Sequence, residues 1–156
     1  MDGKFLVGGH NEGIFSVIRL EDNYSQVVER PFGYVDSVWN IEPYTLYTEG
    51  EPHTLFIPTT SGMYQCALTP QGQFMYTMES YYEGISVTNS VVINEDEMLL
   101  SLHTEEWNKL VILNLDTRQE KVILEPESAA YYIDLATIPR NPDFPLYFIA
   151  HTGKGV

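Results

Sequence analysis

The chain has 156 residues, with 22 acidic against 8 basic side chains and a formal net charge of −14. Eight dispersed Lys and Arg cannot neutralise a run of phosphates, so nucleic acid is not an expected partner, and an anionic membrane surface would repel the chain. At 44% hydrophobic and 13% aromatic it is too apolar for a disordered acidic tail; its length suits one compact domain or a slice of a larger one.

A single cysteine, Cys66, leaves no intrachain disulfide and no Cys-based zinc cage. The opening MDGKFLVGGHNEG holds a three-residue apolar run, too short for a signal peptide. No apolar stretch approaches the roughly 20 residues of a membrane helix. The expected setting is reducing and intracellular, cytoplasmic or nuclear.

In chain order, the predicted strands are Phe5-Leu6-Val7, Ile14 to Leu20, Leu55-Phe56-Ile57, Met63 to Leu68, Met98 to Leu102, Leu110 to Leu115 and Leu146 to Ala150. Each is a short apolar or alternating run rich in β-branched and aromatic types. Turn signals divide them: Glu12-Gly13, Ser61-Gly62, Pro70-Gln71-Gly72, Asn94-Glu95-Asp96, Asp116-Thr117 and Gly153-Lys154-Gly155. No window sustains helical spacing without a break. The chain reads as all-β: a sandwich, a barrel or a propeller.

Repeats separate these options. Phe5 to Asn11, Leu55 to Thr60, Leu99 to Thr104 and Tyr147 to Thr152 share an apolar run, then His or Thr, then a small polar residue. A turn and a second apolar run follow, at Ile14, Met63, Leu110 and Val156. The markers His10, Thr59, His103 and His151 are spaced by 49, 44 and 48 residues. That is the period of a four-stranded propeller blade, about 40 to 50 residues.

On these residues the chain resembles a β-propeller of the WD-repeat kind over essentially its whole length. The clearest stretch is Leu110 to Arg118, which looks like a third blade strand entering the turn before the fourth, with Asn114-Leu115-Asp116 near the usual Trp-Asp place. Tyr132 to Pro139 looks like an innermost strand. The resemblance implies a propeller segment of about three and a quarter four-stranded blades. Strands b, c and d of one blade fall in residues 4–30, two complete blades in 34–80 and 84–126, and strands a and b of another in 131–151. No Trp-Asp dipeptide is present. Gly9-His10 with Trp39-Asn40 mimics the family's Gly-His to Trp-Asp spacing, and that alternative shifts the first unit by two strands. Propellers close with four to eight blades. The segment is therefore expected to belong to a larger ring, completed by further blades or by a second copy.

His10, His103 and His151 share one repeat position, where three imidazoles could meet a metal. The competing role is to cap strand ends. Capping without metal is the expectation, because Thr59 at the same position is a poor ligand and neighbouring blades spread equivalent residues apart. No cofactor is implied. His53, beside Pro52, reads as an exposed turn residue. Glu21-Asp22, Glu95-Asp96-Glu97 and Glu105-Glu106 read as solvated turn charge; none has calcium-loop spacing. Asp36 and Asp134 occupy matching innermost strands, facing either neighbouring blades or the channel. Ser37, Ser86 and Ser101 show no triad pattern, and Cys66 reads as a small buried hydrophobe.

Trp107 stands out, because a large aromatic in the polar loop Thr104 to Lys109 must pack on a neighbour or anchor a partner. In the family the b–c and d–a loops share one face, a frequent docking surface. By that analogy Trp107, His10, His103, Tyr81, Tyr82, Tyr131 and Tyr132 form a partner-binding face. The expected function is a non-catalytic scaffold for protein partners. The alternative is a hydrolase-type propeller in which His10, His103, His151, Asp36 and Asp134 converge at the central opening.

Overall fold

The computed structural model describes residues 5–9, 14–29, 42–43, 52–125, 133–137 and 148–152. Every regular element among them is a strand, and the sheets are antiparallel, as the period-two pattern predicts. The chain divides between Val87 and Thr88 into two compact units.

The first unit holds two meandering sheets. One runs in the order β1 (Phe5–Gly9), β2 (Ile14–Arg19), β3 (Ser25–Glu29). The other runs β4 (Glu42–Pro43), β5 (His53–Thr59), β6 (Gly62–Leu68), β7 (Phe74–Tyr81). Pro43 is tolerated because β4 is an edge strand in that order. The β5–β6 hairpin closes through Thr60 and Ser61, with Thr59 opposite Gly62. Register shifts between Gln65 and Ala67, where β6 meets β7.

These two sheets face each other. Phe5 and Val17 of the first pack with Leu55, Ile57, Cys66 and Leu68 of the second, flanked by Val7, Tyr64 and Phe74. The alternation is visible in β1, where Phe5 is buried and Leu6 is 57% exposed. Polar contacts tie the same two sheets: Arg19 Nη1 donates to Gln71 O at 3.0 Å, and Phe74 N–H donates to Gln26 Oε1 at 3.3 Å.

His53 corrects one expectation. It is the first residue of β5, only 6% exposed, with its ring edge-on to Phe5 at 5.8 Å. The Pro52 beside it suggests a turn, but Phe5, 48 positions earlier, covers the imidazole. A local pattern carries no trace of such a contact.

The second unit, beginning inside β8, contains the sheet β8 (Ser86–Val92), β9 (Glu97–His103), β10 (Asn108–Asn114), β11 (Glu120–Leu124) in chain order. Val91, Leu99 and Leu110 form its core cluster, with Ile93 and Ile112 packed beside them. The pair β12 (Ile133–Thr137) and β13 (Phe148–Thr152) approaches β9 and β10 through β12.

The turn after β2 carries the clearest ion pair. Arg19 Nε and Nη2 donate to Asp22 at 2.9 and 2.6 Å, and Tyr24 N–H donates to Asp22 Oδ1 at 3.1 Å. Hydrogen bonds from Arg19, then from the Tyr24 backbone, lower the Asp22 pKa from 3.8 to about 2. A depressed carboxylate pKa stabilises the fold above the unfolded value, and that contribution is lost as pH falls through the folded one. The thermal midpoint of wild type should therefore exceed that of Asp22→Asn near neutral pH. The gap should close as the pH is lowered from 3.8 to about 2. A gap unchanged over that window would show that the pair contributes nothing, as exposed pairs often do.

Candidate functional site

Turn chemistry positions the loops at one end of each four-stranded sheet. In the first unit, Thr59 Oγ1 accepts from Ser61 N–H at 3.1 Å and donates to Gly62 O at 2.9 Å. This is the strand-capping role that its sequence position suggests. The β7–β8 connection lies beside that hairpin: Gly84 N–H donates to Ser61 O at 3.1 Å, and Ile85 N–H donates to Tyr82 O at 2.9 Å. Ser80 Oγ donates to Glu83 Oε1 at 2.6 Å.

Tyr81 and Tyr82 have different environments. Tyr81 is 5% exposed, and its hydroxyl lies 3.0 Å from both Gln65 Oε1 and Glu79 Oε2. One phenol proton serves one of them at a time. Tyr82 is half-buried, with a left-handed backbone at φ 57°. Tyr81 therefore offers a partner little surface, whereas Tyr82 retains some.

In the second unit the β9–β10 loop is built on Thr104. Its Oγ1 accepts from Glu106 N–H at 3.2 Å and Trp107 N–H at 3.0 Å, and donates to Trp107 O at 3.2 Å. Thr104 N–H also donates to Trp107 O, at 2.9 Å. Trp107 is half-buried, with Lys109 Nζ 4.7 Å from its ring centroid. Lys109 also pairs with Glu125 at 3.4 Å. Glu105 and Glu106 are exposed on the loop.

His103, the last residue of β9, hydrogen-bonds Asn108 Oδ1 through Nδ1 across the hairpin mouth. It engages a side chain, not turn backbone. Sequence reasoning missed Asn108, which is 1% exposed; its signal was a polar residue opening an otherwise apolar strand.

At the other end of that sheet, Asn94 and Asn114 organise the turns. Asn94 Oδ1 accepts from Asp96 N–H, and Asn114 Oδ1 accepts from both N–H and Oγ1 of Thr117. Leu115 N–H donates to Asp96 O at 2.7 Å, linking the two turns. Asn94, Glu95, Asp96, Glu97 and Asn114 line an open depression of about 430 Å³.

His10, Asp36, Tyr131 and Tyr132 lie outside the described residues, as do Trp39 and Asn40. Asp134 and His151 stand opposite each other in the β12–β13 register. Ser101 is buried and bonded to Thr88 Oγ1 at 3.0 Å; Ser90 Oγ is buried and meets no partner among the described residues. Cys66 is a free, buried thiol. Among the described residues, no group of three His, Cys, Asp or Glu is arranged to hold a metal ion, and no helix is long and apolar enough to cross a membrane.

No protein-family model, curated protein or solved structure matches the chain.

Proposed function

We propose that the chain is a segment of a WD-repeat-like β-propeller and acts as a non-catalytic scaffold that binds protein partners through its loops. The observation that carries this reading is the burial of β5. Six of its seven residues are buried, with Thr54 intermediate. A sheet in a two-layer sandwich leaves one face wet and shows strict alternation. A strand buried on both faces belongs to a sheet covered on both sides, as a blade between two neighbours is. β9 follows the same rule, with five consecutive buried residues.

Sheet order adds support. The meanders contain three, four, four and two strands in chain order, and neighbours in each sheet are consecutive in sequence. On the blade reading, the outer face of the β1–β3 sheet, with Leu6 57% and Leu20 50% exposed, is where a further blade would pack. Further chain or a second copy would supply it.

The docking element proposed for the second unit is the Thr104–Trp107 loop. Trp107 is its anchor, while Glu105 and Glu106 favour a partner with a basic or mixed surface. The test is affinity capture by the immobilised chain with chemical cross-linking, comparing wild type with Trp107→Ala. Capture should fall about tenfold or more while the thermal midpoint holds, the behaviour of an aromatic hot spot. Equal capture by both proteins would remove Trp107 from the proposed surface.

A further inference from the structure

Three non-glycine residues among those described have left-handed backbone: Asn23 (φ 55°), Tyr82 (φ 57°) and Arg118 (φ 56°). Asparagine adopts this region readily, and Arg118 follows an exposed turn with an unbranched side chain. Tyr82 is the outlier, because a bulky aromatic is disfavoured where glycine fits without strain. The backbone around it is pinned. Its carbonyl accepts from Ile85, Gly84 bonds Ser61, and a Cβ added to Gly62 would lie 3.3 Å from Tyr82 O. Strain held this firmly under a half-buried aromatic points to a use for the ring.

Glu83 follows it and is exposed. Ser80 Oγ holds Glu83 Oε1 at 2.6 Å, which orients the carboxylate. Burial first, and then the Glu83 charge, raise the Tyr64 pKa, which puts that carboxylate within electrostatic reach of the Tyr64 phenol. An oriented carboxylate thus adjoins a tyrosine at the end of the sheet.

The chain already uses these two groups once. Arg19 lies 5.2 Å from the Tyr24 ring centroid while its Nε and Nη2 donate to Asp22. One tyrosine and one acid, two positions apart, hold a guanidinium by its face and its edge.

We propose that Tyr82 and Glu83 form a docking point for an arginine side chain of a protein partner, the guanidinium stacking on the Tyr82 ring and donating to the Glu83 carboxylate. Arginine fits better than lysine because its planar head stacks and donates at once. The net charge of −14 attracts a cationic partner to this point. The assignment rests on the scaffold reading above and supplies the partner chemistry for the first unit.

The test is titration of arginine amide into the isotopically labelled full chain, followed by backbone amide NMR. Citrulline amide serves as the neutral isostere. Saturable shifts are expected at residues 82–84 with arginine amide and none with citrulline amide. Tyr82→Gly and Glu83→Gln should each weaken binding by about fivefold or more. Tyr82→Gly should melt no lower than wild type, because glycine relieves the left-handed strain. Equal response to citrulline amide, unchanged affinity in both variants, or a lowered Tyr82→Gly midpoint would each overturn the docking point. If arginine fails to bind while Trp107-dependent capture persists, this assignment falls and the scaffold stands. If wild type captures no partner at all, the scaffold reading fails whatever arginine amide does.

Discussion

Gly72→Ala should destabilise the chain by about 3 kcal/mol, a large part of the roughly 5–15 kcal/mol that holds a domain together. Two costs combine. Gly72 has φ +82°, where an L side chain is strained by about 1–2 kcal/mol. A Cβ there would also lie 2.3 Å from Phe5 Cε1 and 2.9 Å from Phe5 Cδ1, an overpacking worth about 1–3 kcal/mol. The ring cannot retreat cheaply, because Phe5 is buried in the cluster with Val17, Leu55 and Leu68. Denaturant unfolding of Gly72→Ala, Phe5→Leu and the double variant separates the two costs. With the ring removed, Gly72→Ala should cost only the backbone part, about 1–2 kcal/mol. Fully additive losses would show that Phe5 and Gly72 do not compete for space.

Leu55→Ala should cost about 3 kcal/mol, within the usual range of about 2–5 kcal/mol for emptying a leucine site in a packed core. Leu55 has no exposed surface and sits between the first two sheets, with Ile57, Cys66 and Leu68 around it. Those neighbours come from two strands of one sheet, and Phe5 and Val17 close the site from the other, so the cavity has little freedom to collapse. Val122→Ala provides the contrast. Val122 is 43% exposed on β11, and truncation there should change stability by no more than about 0.5 kcal/mol. Equal effects at the two positions would mean that β11 is covered in solution, or that the first two sheets do not pack as described.

Both effects depend on contacts that the local pattern does not contain. The turn at Pro70-Gln71-Gly72 is legible, because Pro and Gly punctuate a chain whatever surrounds them. That Gly72 must stay bare is not, since the ring forbidding a side chain lies 67 positions earlier. His53 follows the same logic. Its neighbours in sequence suggest exposure, yet a distant Phe5 covers it.

The candidate site divides similarly. The Thr59 cap and the placement of Trp107 in a short loop are readable, because hydroxyl-to-backbone bonds and hairpin lengths are local matters. The repeat markers are less faithful. Thr59 and His103 align in sequence, but the hydroxyl that organises the β9–β10 loop belongs to Thr104, because that loop is longer than the Thr60-Ser61 turn. Nor does the sequence separate Tyr81 from its neighbour. One phenol is sealed against Gln65 and Glu79, while the Tyr82 backbone is forced left-handed by its bonds to the adjoining hairpin.

By itself, then, the order of residues determined the element type and most strand positions, because period-two alternation, β-branched runs and turn residues act over a few positions. Mixed segments carry weaker signals: β7, Phe74–Tyr81, and β11, Glu120–Leu124, show no clean apolar alternation and are held as strands by pairing with β6 and β10. Tertiary structure alone decided which faces are covered, which glycine must lack a side chain, and which tyrosine keeps accessible surface. Those outcomes depend on close packing between segments dozens of residues apart, and sequence periodicity does not encode that distance.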